Sequence, residues 1–318
     1  MTEKPNFWVG FACALAGALL WGFSGACIQF LAENYLIQSS FISFVRAATA
    51  AVLFLGFMLA ARRESLLSLA HSKRAWSSLL LFGVGLYLSQ ITYAISVALT
   101  NAGTATVLQA TCTVFVMLFT CLKLRRWPRP LDLLGLVCAM GAATLIATQG
   151  DWGVMVLPVA GLAWGIANAL SETLYIMAPQ RLYLHWDRFT VISCGMVISG
   201  VLAALVWACG GLWGDVPRVP AMDGFGWAAL VLGVGVMGTF AAFGLFLYGV
   251  SVVGSVHGSL LGVAEPVGAM VIAAVWLHTA FSTADWTGLV LMAAMIVLVS
   301  ISGARGEKAS DKAPDKVQ

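Results

Sequence analysis

Ten apolar stretches decide what this chain can fold into. They run over residues 7–31, 39–61, 76–98, 102–122, 131–149, 154–178, 189–209, 227–250, 254–277 and 284–303. Each is long enough, or nearly so, to cross about 30 Å of hydrocarbon as a helix. Backbone N–H and C=O groups find no water inside a bilayer, so a spanning segment is either a helix or a strand of a closed barrel. Barrel strands are about ten residues long and alternate in polarity; these runs do neither. The expectation is an all-α, polytopic membrane protein of ten transmembrane helices.

Composition agrees. Sixty per cent of the 318 residues are hydrophobic and 10% are charged, against roughly 25% charged in an average soluble domain. A net charge of +3 gives no argument for nucleic acid, but its distribution is informative. Lys4, Arg62, Arg63, Lys73, Arg74, Lys123, Arg125, Arg126, Arg129, Arg181, Arg188, Arg305, Lys308, Lys312 and Lys316 all fall on one side of the expected membrane, 15 of the 17 basic residues. Arg218 stands alone on the other side and Arg46 lies inside the second stretch. The positive-inside rule therefore predicts a cytoplasmic (inner) membrane protein with both termini in the cytoplasm. The first stretch has one weak basic flank and a counterpart later in the chain, so it reads as a retained helix, not a cleaved leader. All seven cysteines sit in apolar stretches without a Cys-x-x-Cys pair and read as small core residues. Trp8, Trp76, Trp127, Trp152, Trp186, Trp213, Trp227 and Trp286 fall near the expected interfaces, as aromatic belts do. The charged segment 304–318 lacks bulky apolar residues apart from one valine and is expected to be a disordered cytoplasmic tail.

The chain is written twice. Trp21-Gly22 matches Trp164-Gly165 at an offset of 143 residues, Gly83-Val-Gly85 matches Gly233-Val-Gly235 at 150, and Asp132-Leu-Leu-Gly-Leu-Val matches Asp285-Trp-Thr-Gly-Leu-Val at 153. Three anchors in one order imply two five-helix repeats, 7–149 and 154–303. Five is odd, so the second half must enter the membrane in the opposite sense. The halves are then inverted repeats about an axis in the membrane plane, a frequent design in secondary transporters.

The opening ALLWGFS, the second stretch FISFVRAATAAVLFL, and LLGVAEPVGAMVIAAVW followed by ADWTGLVLMAAMIVLVS resemble the EamA family of the drug/metabolite transporter superfamily. The resemblance covers about residues 10–303. It implies ten helices, both termini in the cytoplasm, and transport of a small metabolite, often outward. Family members often carry a proline at the first-half equivalent of Pro266; here the offset of 153 lands on Thr113.

Arg46, Glu172 and Glu265 are the charged residues well inside the stretches. A charge at mid-membrane costs roughly 2.5–3.5 kcal/mol, so each needs a partner, a water-filled cavity or a proton. Glu265 lies about 18 Å along its helix at 1.5 Å per residue, close to the midplane. Pro266 removes a donor and frees a carbonyl that a cavity can use. The pair reads as part of a central site, or else as a Glu–Arg lock with a bend. Trp164, Asn168, Ser171, Glu172 and Tyr175 fall on one helical face that must meet protein or water. In the first half, Trp21 and Gln29 occupy equivalent places. Arg46 can hold a substrate carboxylate, pair with a glutamate or snorkel. Tyr93, Gln90, Gln109, Tyr248 and His257 are further candidates. His257 lies eight residues before Glu265 and suggests either a proton relay or a hydrogen-bonded helix-end histidine.

Gly233-Val-Gly-Val-Met-Gly238 fits a nucleotide-binding pattern but lies inside an apolar stretch without strand–turn–helix context. No cofactor or metal is expected, nor an ATP site. The functional expectation is a non-enzymatic secondary transporter that exports amino acids or related amphipathic solutes by alternating access, either coupled to protons through Glu265 or by exchange without protons. Its partners would be the small-molecule substrate and the lipid bilayer, its state a monomer or homodimer. The alternatives are a lipid or drug flippase of the same superfamily, an intramembrane enzyme using His257 and Glu265, and a non-transporting scaffold.

Overall fold

The computed structural model describes residues 6–125, 127–151, 155–210 and 218–311. Lys4, Arg126, Trp152, Val154, Trp213, Lys312 and Lys316 lie outside the described residues. Within them the chain is helical: α1 (Phe7–Tyr35), α2 (Ser39–Ala61), α3 (Arg63–His71), α4 (Trp76–Leu99), α5 (Ala102–Ala110), α6 (Cys112–Lys123), α7 (Pro130–Thr148), α8 (Val159–Met177), α9 (Arg188–Ala208), α10 (Gly224–Ala228), α11 (Ala242–Val253), α12 (Ser255–Leu261), α13 (Ala264–Trp276) and α14 (Thr283–Asp311). A 3₁₀ turn covers Ala178–Leu184, and a π-helical stretch, Ala229–Ala241, joins α10 to α11. The ten crossings are α1, α2, α4, α5–α6, α7, α8, α9, α10–α11, α12–α13 and α14. Eight of these are at least 18 residues long and apolar enough to cross a membrane. In α8, Asn168, Ser171, Glu172 and Thr173 dilute the hydropathy. The ninth crossing is broken in two. The sequence did not show α3, which sits in a connection, and α14 runs to Asp311, past residue 304 where disorder was expected. Ala304, Arg305, Glu307, Lys308 and Ala309 favour helix once a long helix precedes them.

The halves pack as a pseudo-two-fold pair. The third crossing lies on the sixth as the first lies on the eighth, and the fourth meets the sixth as the ninth meets the first. The second and seventh, the fourth and ninth, and the fifth and tenth each pair with one another. Exchanging the halves leaves this pattern unchanged. With five crossings in each, the halves thread the bilayer in opposite directions.

The repeated sequence anchors have local causes. Asp132 Oδ2 accepts from the Arg129 amide at 2.9 Å, and Asp285 Oδ2 accepts from the Ser282 amide at 2.8 Å. Each aspartate thus reaches back to satisfy the amide before the last helix of its half, the reciprocal arm of a capping box. Both are buried, at 2% and 8% exposure, where an open amide would be expensive. The Trp-Gly anchors mark close approaches. A Cβ on Gly22 would stand 2.6 Å from the Glu265 carbonyl and the Ala269 amide, and one on Gly165 would stand 2.5 Å from Leu108 Cδ1. The first helix of each half therefore presses against the fourth helix of the other.

The fourth helices of both halves are broken. In the ninth crossing Pro266 supplies no N–H, and the ladder changes register around it: Val263 bonds Leu260 and Glu265 bonds Gly262, both three residues back. The fourth crossing lacks that proline and breaks at Thr111 instead. The Thr111 amide and hydroxyl both donate to the Leu108 carbonyl, at 3.1 and 2.6 Å. Hydroxyl back-bonding of this kind bends helices. The symmetric kink thus survives through a threonine two residues before the position where the family pattern places proline.

Asp187 secures the corner between the second and seventh crossings. Its carboxylate caps α9 by accepting from the Thr190 amide at 3.1 Å and from the Thr190 hydroxyl. It also accepts from Ser65 at 3.3 Å and pairs with Arg62 at 3.5 Å. Burial pushes this carboxyl upward, but the Thr190 bonds, the Arg62 charge and Ser65 together outweigh it and hold it below its ordinary value. A folded pKa below the unfolded value of about 3.9 stabilises the fold above that pH, and the gain disappears as pH falls through the folded pKa. The site is partly exposed, so solvent screens the pair and the cap dominates. Asp187→Asn keeps a capping oxygen and removes the charge, so it should lower stability by at most about 1 kcal/mol at pH 7. Melting curves of both proteins across pH 3–7 should converge at the acid end.

Candidate functional site

A cavity of about 520 Å³ lies where the two halves meet. The first half supplies Trp21 from α1, Arg46 from α2, Ser89, Gln90 and Tyr93 from α4, and Gln109 from α5. Glu172 and Tyr175 from α8, Phe243 from α11 and Glu265 from α13 complete the wall. Glu265 occupies the first turn of α13, just past the break, so the disruption of the helix and the carboxyl group arrive together. Gln109 donates to its Oε1 at 3.0 Å, linking the fourth and ninth crossings. Glu172 Oε1 accepts from the Tyr175 hydroxyl at 3.0 Å, while its Oε2 is buried without a partner.

Arg46 is held by its inner nitrogen. Nε donates to Thr239 Oγ1 at 2.9 Å. Thr239, fully buried in the π-helical stretch, spends its own proton on the Val234 carbonyl five residues back. Its oxygen is thus left as an acceptor aimed at the arginine. Arg62–Asp187 is the ion pair found among the described residues, so Arg46 is not paired directly with either glutamate. Its two terminal nitrogens have no hydrogen bond there. Arg46 and Glu172, each with unbonded polar atoms among the described residues, thus line one space from different helices. Trp21 stacks edge-on to Phe243 at 5.0 Å and forms an aromatic shelf beside them.

Glu172, Gln109 and Glu265 also line a second cavity of about 580 Å³ with Pro266, Thr113 and Ser300. The two carboxyl groups thus stand between two spaces. Pro266 belongs to the second of these, where its kink shapes the wall.

The remaining candidates lie elsewhere. Gln29 is buried near the end of α1 away from the basic connections; it donates to Glu33 and Thr279, both at 2.8 Å, and accepts from the Ala102 amide at 2.9 Å. It ties α1 to α5 and to the segment after α13. Asn168 donates to the Ser89 carbonyl at 2.7 Å and to Thr92 at 3.2 Å, joining α8 to α4. Trp164 packs against an apolar cluster of Ala47, Tyr87, Ile91, Ile95 and Ala203. His257 lines neither cavity; its ring bonds the Val253 carbonyl at 3.0 Å and meets Phe7 edge-on. The relay suggested by its spacing from Glu265 assumed one continuous helix, and the break at Gly262–Val263 separates the two. Thr239, Ser89 and Phe243 were missed. A lone phenylalanine, serine or threonine in an apolar run carries no periodic signal, and the π-helical register moves Thr239 off the face that a 3.6-residue period predicts.

Comparison with known proteins adds the family. The model of the EamA-like transporter family matches residues 8–148 and again 159–301, once for each half. A protein of Salmonella typhimurium described as "Uncharacterized inner membrane transporter YicL" is 28% identical over 302 residues, spanning 95% of this chain and 98% of that one. A solved crystal structure superposes with a TM-score of 0.64 at 19% identity, over 94% of this chain and 98% of its own, which shows a shared fold. With both halves matched and a charged cavity between them, the chain belongs to the EamA-like transporter family of membrane transporters.

Proposed function

We propose that this transporter carries a zwitterionic amino acid, or a related amphipathic solute, outward across the cytoplasmic (inner) membrane by alternating access, with both termini in the cytoplasm. One observation carries the reading: Arg46, whose terminal nitrogens have no hydrogen bond among the described residues, and Glu172, whose Oε2 has none, line the same cavity from opposite halves. Arg46 suits a carboxylate, bidentately. Glu172 and Glu265 suit an ammonium group. Trp21 and Phe243 offer an aromatic surface to an apolar side chain. The match to an inner membrane transporter and the one-sided basic connections support the location and orientation.

Arg46 balances one carboxylate, which leaves the second carboxyl group to carry a proton. Glu265 is the proposed carrier, because it stands between both cavities at the broken turn of the ninth crossing. Opening toward the outside would have to release the bonds of Gln29 to Thr279 and Ala102. Binding to purified protein tests the reading with leucine, its decarboxylated amine and N-acetylleucine. The intact zwitterion should bind at least about tenfold more tightly than either derivative, since each leaves one buried charge unmatched. Equal binding of all three would defeat it.

Thr239 acts on the solute through Arg46. Thr239→Val removes the acceptor for Nε and should weaken zwitterion binding about tenfold, within the range for an orphaned charged donor. Thr239→Ser keeps the oxygen and should restore binding to within about twofold, a rescue that a purely steric role would not give.

A further inference from the structure

A further polar recess, which shares no lining residue with the central cavity, lies between the connection after α2 and the connection after α8. It has a volume of about 760 Å³, and Arg74, Arg181, His185, Ser72, Ser77 and Ser78 line it. No carboxylate is in its wall among the described residues. Asp187, next in sequence to the wall residue Trp186, is engaged by Arg62, Ser65 and Thr190. Among the described residues neither Arg74 nor Arg181 has a hydrogen bond or ion pair. Two free guanidinium groups, one from each half of the chain, thus converge on one concavity with three hydroxyls between them.

The recess sits at the boundary between water and hydrocarbon. Ser77 and Ser78 belong to the first turn of α4, where its crossing begins. Trp186 and Leu182 form the apolar part of the wall, and Trp186 is anchored by donating to Ser68 at 3.3 Å. Tryptophan at this depth is typical of the headgroup region. A soluble anion would use only the arginines and serines, whereas a lipid would use the apolar wall as well. We propose that this recess is a binding site for the phosphodiester headgroup of an anionic phospholipid in the leaflet it faces. Basic pockets between transmembrane helices recognise such headgroups through juxtaposed charge and hydrogen-bond donors. The site is independent of the transported solute.

Native mass spectrometry of the full chain in detergent, titrated with phosphatidylglycerol, phosphatidylcholine or inorganic phosphate, tests the proposal. Phosphatidylglycerol should bind. Arg74→Gln/Arg181→Gln should weaken it about 30-fold, and Arg181→Gln alone about fivefold, from about one basic contact's worth each. Both arginines are exposed and unpartnered, so these variants keep the fold. The control Arg63→Gln/Lys73→Gln removes the same charge from the same side but not from the recess, and should change binding less than threefold. Equal losses in both double variants would mean diffuse attraction and overturn the site. Phosphatidylcholine binding as well as phosphatidylglycerol would overturn headgroup selection. Displacement of phosphatidylglycerol by millimolar inorganic phosphate would overturn the lipid assignment in favour of a free anion.

Discussion

Arg46→Gln should lower the affinity of the proposed amino-acid solute by about 100-fold or more, while leaving its decarboxylated amine bound within about threefold. The reason is the division of labour in the cavity. Among the described residues the terminal guanidinium nitrogens have no hydrogen bond, and the bond to Thr239 is made by Nε. Removing one member of a buried, hydrogen-bonded charge pair costs roughly 2–5 kcal/mol. The amine lacks the carboxylate and has nothing to lose there. Arg46→Lys should recover only part of the affinity, because an ammonium is a point charge without the planar fork. Isothermal titration of the three proteins against both ligands gives the comparison. An equal loss for amine and amino acid would mean that Arg46 supports the fold and not the carboxylate.

Gly22→Val should abolish folded, monodisperse protein or lower its melting temperature by more than about 10 °C. The Cβ would meet the backbone of α13 at 2.6 Å on two atoms, the Glu265 carbonyl and the Ala269 amide. Backbone cannot rotate aside as a side chain can. Overpacking ordinarily costs 1–3 kcal/mol, and here the contact sits against the broken turn that places Glu265. At the equivalent Gly165 the neighbours belong to one leucine: Leu108 Cδ1 at 2.5 Å can rotate aside, while its Cβ at 2.9 Å is fixed to the backbone. Gly165→Val should therefore lose roughly half as much or less. Thermal unfolding by size-exclusion assay compares the two. Matching losses at both positions would show that the helix surfaces, not the rigid backbone of α13, set the tolerance.

The sequence was legible where a physical constraint acts at one residue spacing. Apolar length announced the crossings, and the odd number in each half announced the inversion. Asp132 and Asp285 announced the repeat because both cap the same helix end. Glu265 and Arg46 stood out because charge is expensive in hydrocarbon. What stayed hidden depended on breaks in the helices. Projecting His257 onto the face of Glu265 assumed 3.6 residues per turn through Gly262, where the ladder changes register. The kink of the fourth crossing was sought at a missing proline, and Thr111 supplies it instead. Thr239 could not be placed without the π-helical turn that brings it to Arg46. The face running from Trp164 to Tyr175 did point inward, but its upper part meets α4 and its lower part meets the cavity. A helical wheel cannot divide one face between a neighbour and a void.

The proposed function depends on one cavity, between two oppositely threaded halves, opening to each side of the membrane in turn. The direct test replaces the seven native cysteines, introduces Ser89→Cys in the cavity wall, and reconstitutes the protein in sealed vesicles of known orientation. Membrane-impermeant thiol reagents are then added from one side at a time. The predicted result is labelling from either side, with leucine slowing both reactions. Labelling that is confined to one side under every condition, or indifferent to leucine from both, would contradict the account.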